Sequence, residues 1–485
     1  MTIDTRTLNR GFGLFTALFI STAVTAVYTG LWVLLGIPFA ILFFYAGWQW
    51  KTLVFYFLMF SLPFSFEYQF TPSLGTDIPD EILMLLVSYL FLAAWIHSPG
   101  ILPGRTLKHP LIITLLVSLG WTVLTVFCSS QPAVSLKFWL AKSWYAGAFV
   151  MAPLILFREK KTLLTAVKWL AIAMAGVTLI ILLRHAQTGF SFATVNKSVY
   201  PFFRNHVNYS AMLVCLIPVF VASLFHTPRK ETRLLLVVLL VALLTALLFS
   251  YARGAWLALL TGLLAAWLIR KKRLLAFFAL AILFAVSIFF WLRAGDRYLR
   301  YAPDYRTTIF HENFNEHLIA TYTLKDVSTA ERFYRWIAGV RMIRDNWLTG
   351  YGPNTFYEHY KGYAVPAYKT WVSDNPDHST VHNYYLLTTI EQGLPGLMIL
   401  IVLAGMMLYY AQVLYHRTRD LFYRSVSLAT GVVVSMLLVL NFLSDLVETD
   451  KIGSLFFLCL SVLVITDMNT RKEKSDPAPD IERIA

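Results

Sequence analysis

Charge is scarce in this chain. Asp, Glu, Lys and Arg make up only 14% of its 485 residues, against 58% hydrophobic and 16% aromatic, and the mean hydropathy is +0.61. A soluble domain of that balance has too little polar surface to stay in solution. Cysteine is rarer still. Cys128, Cys215 and Cys459 stand singly, two of them inside apolar runs, which excludes a disulfide framework and a thiolate metal site. Acidic residues are also short, 27 against 41 basic, for a formal charge of +14. No nucleic-acid motif accompanies that excess, so it is assigned to cytoplasmic loops, anionic headgroups or an anionic lipid-linked substrate. No cleavable signal peptide is legible, because the first apolar run starts near Gly11 and flows into another span.

What is present is a succession of apolar runs, each close to the ~20 residues that a helix needs to cross a hydrocarbon core. They fall at roughly 11–29, 31–49, 52–66, 82–97, 110–129, 134–157, 162–184, 208–226, 234–251, 254–270, 274–293, 383–414, 425–444 and 452–468. The expected fold is therefore all-α, a polytopic integral membrane protein of about 12–14 transmembrane helices. The basic boundaries "FREKK", "HTPRKETR", "IRKKR", "YHRTRDLFYR" and "NTRKEK" can all be placed in the cytoplasm without contradiction. Both termini then lie inside. The outer face receives "EYQFTPSLGTDIPDE", "RHAQTGFSFATVNKSVYPFFRNHVN", "SDLVETDK" and one long loop. The organisation is one membrane domain: helices over 1–293, an outer loop over 294–382, helices over 383–468, and a tail over 469–485 expected to be disordered. Within the loop, "STAERFYRWIAGVRMIRD" has Phe333, Ile337, Val340 and Ile343 near helical spacing, and a turn-rich "NWLTGYGPNTF" follows.

Four polar groupings fall on the outer face in this topology. "RNHVNYS" carries Arg204, Asn205, His206 and Asn208; "SYARGAWL" carries Arg253; "STAERFYRW" carries Arg332 and Arg335; "DHSTVHNYY" carries His378, His382 and Asn383. Arginines at span ends commonly reach for headgroups. An arginine in a short outer loop, such as Arg253, runs against the charge bias and needs another reason. His378 and His382 have the i, i+4 spacing of helical metal pairs, but the glutamate of a zinc-protease motif is missing between them. A third ligand would have to come from Asp377, Glu358 or His359, none fixed by the pattern. The metal reading is set aside, leaving a structural histidine or an acid/base.

Taken in order, "RNHVNYS", "SYARGAW", "STAERFYRW", "DNWLTGYGPNTF" and "VHNYYLLTTIEQGLPG" resemble the O-antigen ligase and polymerase superfamily of bacterial envelope glycosyltransferases, over roughly Tyr200 to Leu397. Two departures stand out: Ala252 precedes Arg253 where the family usually has serine, and His206 is an extra histidine. The resemblance implies a GT-C-like helical architecture in the bacterial inner membrane, with the active site facing the periplasm in a long loop containing helices. It also implies metal-independent transfer of a glycan from undecaprenyl pyrophosphate to a lipid A–core acceptor, with no cofactor. Carried over by motif, His382 is the catalytic histidine and Arg253, Arg332 and Arg204 bind the pyrophosphate. Asn383, Arg335 and Asn208 are the supporting candidates. A polymerase extending an O-antigen, capsule or exopolysaccharide glycan is the alternative, since "PFSFEYQFTPSLGTDIPDEILML" is similar to polysaccharide-cluster members. A transporter or flippase would need ionisable residues deep in several spans and repeat-related broken helices, which the sequence does not offer.

Overall fold

The computed structural model describes residues 5–71, 74–301, 327–365 and 379–475. Among the described residues, thirteen helical segments are long and apolar enough to span a membrane, and one shorter apolar helix covers Lys51–Phe64. The helices in chain order are α1 (Thr5–Thr29), α2 (Gly36–Gln49), α3 (Lys51–Ser61), α4 (Asp80–His97), α5 (Gly104–Leu107), α6 (Pro110–Phe127) and α7 (Pro132–Ala146). Then come α8 (Ala152–Leu156), α9 (Lys160–Ala186), α10 (Val195–Val199), α11 (His206–His226), α12 (Lys230–Leu248), α13 (Arg253–Arg270) and α14 (Leu274–Arg293). After the first part of the long loop follow α15 (Val327–Asp345), α16 (Phe356–Tyr363), α17 (Tyr384–Arg417), α18 (Leu421–Leu443) and α19 (Asp450–Ser475).

The polytopic helical expectation holds. The span expected at 52–66 is the short helix α3, closed by a 3-10 turn at Leu62–Phe64. At about 1.5 Å per residue it is well short of a ~30 Å hydrocarbon core. It packs Phe55 against Phe157, and the Ser65 carbonyl just beyond it accepts from Lys451 Nζ. The stretch read as an acidic outer loop pairs as a hairpin, β1 (Phe66–Thr71) with β2 (Leu74–Ile78), Glu67 opposite Asp77 and Tyr68 opposite Thr76.

Polar contacts sort the connections into two groups at opposite ends. At one end His109 and Arg417 meet Asp467, Lys160 meets Asp420, and His416 meets the Ile269 carbonyl. At the other, Ser130 meets His359, Arg204 meets Glu67, Lys142 meets Glu448 and His382 meets Asp445. These are the two groups that the basic boundaries separate. α17, α18 and α19 form the middle of the bundle; their buried faces include Met407, Leu437 and Leu463.

The loop helix forms where expected, but its buried side differs. Ala330, Tyr334, Ile337, Ala338 and Met342 are buried, whereas Phe333, Val340 and Ile343 are only half-buried. The reason is small-residue packing: Gly339 lies against α17, where a Cβ would meet Ile390 Cδ1 at 2.7 Å. The turn-rich stretch after it plugs a break in α17 at Gly393, whose φ of 70° and ψ of −178° interrupt the helix. Leu394 N donates to the Trp347 carbonyl, Tyr351 N to Ile390 O and Gly352 N to Glu391 O. Backbone approaches so closely there that a Cβ on Gly393 would sit 2.1 Å from the Leu348 carbonyl oxygen. α19 continues to Ser475; residues 476–485, in the expected tail, lie outside the described residues.

Candidate active site

His382 sits in the short connector leading into α17, with a φ of 53° in the left-handed region that a non-glycine residue seldom adopts. The flanking contacts impose that geometry. Its own N–H donates to Thr380 Oγ1, Arg335 Nη1 donates to the Thr380 carbonyl at 3.1 Å, and Trp336 Nε1 donates to the Val381 carbonyl at 3.0 Å. Asn383 then caps α17: its Oδ1 accepts from Leu386 N, while its Nδ2 donates to the Phe442 carbonyl at the end of α18. Tyr384 N adds a bond to the Ser444 carbonyl. The connector is thus tied to the loop helix on one side and to the α18 terminus on the other.

The end of α18 supplies the partner of the histidine. His382 Nδ1 lies 3.8 Å from Asp445 Oδ1, an ion-pair separation, with the two side chains 31% and 16% exposed. Asp445 Oδ2 accepts from Thr380 Oγ1 at 2.6 Å. Burial alone would raise the Asp445 carboxyl, but the His382 imidazole and the Thr380 hydroxyl outweigh it and hold it below its ordinary value. Facing Asp445 through Nδ1, the imidazole keeps Nε2 for another proton. Just beyond, Lys142 Nζ is 3.0 Å from Glu448 Oε2. Burial raises the Glu448 carboxyl, and the Lys142 ammonium only partly opposes it.

The arginines divide into two groups. Arg335 is buried and works on backbone, holding Thr380 and pairing with Glu331 at 3.6 Å. Arg332 is half-buried one turn earlier on the same helix. Arg253 opens α13 beside the α18 terminus: at the next residue, Gly254, a Cβ would lie 3.1 Å from Leu443 Cδ1. Arg335 thus touches the His382 connector, and the start of α13 at Arg253 lies beside the end of α18 that leads to Asp445. Arg204 and Asn208 belong to a different cluster. Arg204 is 69% exposed, 4.0 Å from Glu67 Oε2 of the hairpin, and the Asn208 N–H is taken by Asn205 Oδ1. That cluster is organised by Lys451, which donates to the Ser65 and Phe202 carbonyls.

His378 and Asp377 lie outside the described residues. Both ring nitrogens of His359 are engaged, by Ser130 Oγ and the Thr355 carbonyl, and Glu358 stands beside it on α16. Among the described residues, the grouping with metal-ligand spacing is Asp77, Asp80 and Asp450, within 4.8 Å of one another and next to Lys451, not at His382.

Asp445, Glu448 and Lys142 were missed by the sequence reading. The first two sat in "SDLVETDK", read only as a short outer loop. Lys142 had a usable signal, a lysine within an otherwise apolar span, which marks a functional or paired group.

The family model described as O-Antigen ligase matches residues 236–401. That segment contains Arg253, Arg332, Arg335, His382 and Asn383 and the plug at Gly393, and it stops short of Asp445. No curated protein matches the chain. The stretch at 236–401, which carries Arg253, Arg332, Arg335 and His382, is thus similar to the O-antigen ligase family, a match that supports an O-antigen ligase or polymerase type of multi-pass membrane protein and suggests glycosyltransferase-like activity on polysaccharide or lipid-linked substrates.

Proposed function

We propose that this protein is a ligase-type glycosyltransferase, moving a glycan from undecaprenyl pyrophosphate to a hydroxyl of a lipid A–core acceptor. The observation that carries the reading is the His382–Asp445 couple, whose histidine lies with Arg253, Arg332 and Arg335 in the matched segment 236–401. His382 Nε2 takes the acceptor proton as the acceptor oxygen forms its bond to the anomeric carbon. The anomeric carbon–oxygen bond breaks, and undecaprenyl pyrophosphate leaves with the electron pair. Asp445 steadies the imidazolium that forms. Attack and departure in one displacement invert the anomeric centre.

Leaving-group charge grows on the pyrophosphate as that bond breaks, so cations fixed beside it stabilise the transition state more than the ground state. Arginine is suited to this work: its planar fork matches phosphate oxygens and keeps its charge at any physiological pH. Arg253 and Arg332 take that role. Arg204, exposed and held against Glu67, serves the rim where the donor enters. In this scheme guanidinium groups supply the positive charge, so activity survives chelation. The basic connections at the opposite end support a cytoplasmic placement for both termini and a periplasmic placement for His382, in the bacterial inner membrane.

The test is reconstitution of the full chain in vesicles with an undecaprenyl-pyrophosphate-linked glycan and purified lipid A–core, products read by mass spectrometry. Glycan on lipid A–core with release of undecaprenyl pyrophosphate is expected. Lengthened lipid-linked glycan with untouched lipid A–core would replace the ligase by a polymerase, and no transfer to either acceptor would refute the proposal.

A further inference from the structure

The end of the bundle opposite His382 holds a cavity of about 410 Å³ that glycan transfer does not use. It is lined by Gly104, Arg105, Lys108, His109, Asp467 and Arg471, among others. Its floor is fixed. Asp467 is fully buried: its Oδ1 accepts from Arg417 Nη2, and its Oδ2 makes ion-pair contacts with Arg471 Nε at 2.8 Å and His109 Nε2 at 3.4 Å. His109 is itself immobilised, since its Nδ1 accepts from Leu111 N to cap α6, and its ring lies on Tyr410.

The charges do not balance. Arg417 and Arg471 share the single carboxylate of Asp467, while Arg105 and Lys108 also line the cavity and are exposed towards it. Three cations around a concave site of this size favour an oxyanion with several acceptor oxygens. The apolar surroundings say which kind. From Pro110 at the cavity, Ile113, Leu116, Val117 and Leu124 follow at helical spacing along α6, all exposed. In a membrane protein, such a stripe faces acyl chains.

We propose that this cavity binds the phosphodiester headgroup of an anionic phospholipid, with Arg105, Lys108 and Arg471 around the phosphate and the acyl chains along the exposed face of α6. A basic pocket between spanning helices is the arrangement that selects such headgroups. The same phosphate chemistry could come from a free anion, but a free anion makes no use of the apolar stripe.

The full-length protein in mixed micelles of phosphatidylglycerol and phosphatidylcholine in equal amounts provides the test, with retained lipid counted by native mass spectrometry. Wild type is expected to retain phosphatidylglycerol in preference. The triple variant Arg105→Ala, Lys108→Ala, Arg471→Ala should lose that preference by roughly a hundredfold, since each cation near an anionic surface contributes about a factor of five. Lys108→Glu, which leaves the Asp467 contacts intact, should lose it while the protein stays monodisperse. The control variant Arg229→Ala, Lys230→Ala, Arg273→Ala removes equal charge at the same end outside the cavity and should keep the preference. An equal loss in that control reduces the effect to surface charge and overturns the proposal. Absence of preference in the wild type overturns it as well. Displacement of the lipid by millimolar inorganic phosphate would also overturn it, in favour of a free-anion site.

Discussion

Replacing Asp445 by Asn keeps the shape of the site and removes the charge that faces His382. The magnitude follows from the geometry. A full positive charge 3.8 Å from the carboxylate gains about 4 kcal/mol at an effective dielectric of about 20. Proton transfer from the acceptor is between half and fully complete in the transition state, so about 2–4 kcal/mol is lost there. That corresponds to a fall in kcat of about 30- to 1,000-fold. The assay is single-turnover glycan transfer by reconstituted protein with saturating donor, so that binding defects do not enter. Because Asp445 acts only through the histidine, the Asp445→Asn, His382→Ala double variant should be no worse than His382→Ala alone. An Asp445→Asn protein that keeps more than about one-third of wild-type turnover would refute the coupling, because less than about 0.7 kcal/mol would then be at stake.

Four further outcomes follow from the same contacts. Arg253→Lys keeps the charge but loses the planar fork, and turnover should fall about 10- to 100-fold in the transfer assay, the loss expected for one bidentate phosphate contact. Lys142→Met leaves the half-buried Glu448 without its cation and should destabilise the fold by about 1–3 kcal/mol, read as a lowered thermal midpoint in detergent. Gly393→Ala places a methyl group against the Leu348 carbonyl at a positive φ and should cost about 3 kcal/mol, with loss of protease protection in the 346–356 plug. The pH dependence of Asp445 has a definite sign. Its folded value is lowered, so its stabilisation is complete above the unfolded value of about 3.9 and disappears only as pH falls through the lower folded value. The stability gap between wild type and Asp445→Asn should therefore stay constant from neutrality down to about pH 4–5; a gap that closes already near neutrality contradicts the assignment.

The sequence made some of this legible and hid the rest for identifiable reasons. Membrane helices must satisfy their own backbone, so length and hydropathy located the spans to within a few residues, and basic boundaries separated the two ends that the polar contacts also separate. α3 escaped in detail because hydropathy cannot tell a short helix closed by a 3-10 turn from a full span. The hairpin at 66–78 was hidden by "TPSLG", which reads as loop until its flanks are paired. His382, Arg253 and Arg332 stood out by residue type and order. Asp445 did not, since its role depends on where α18 ends relative to the α17 connector, a tertiary fact. The same holds for Arg335 and Asn383, whose types suggested chemistry and whose hydrogen bonds show that they hold the connector in place.

The central claim is that His382 carries the proton transfer at the polar end of the bundle, and purified His382→Ala protein tests it most directly. Transfer of radiolabelled glycan from undecaprenyl pyrophosphate should fall by at least about a hundredfold, the usual contribution of a positioned general base, while donor binding and thermal stability stay near wild type. Transfer within a fewfold of wild type by that protein would contradict the account.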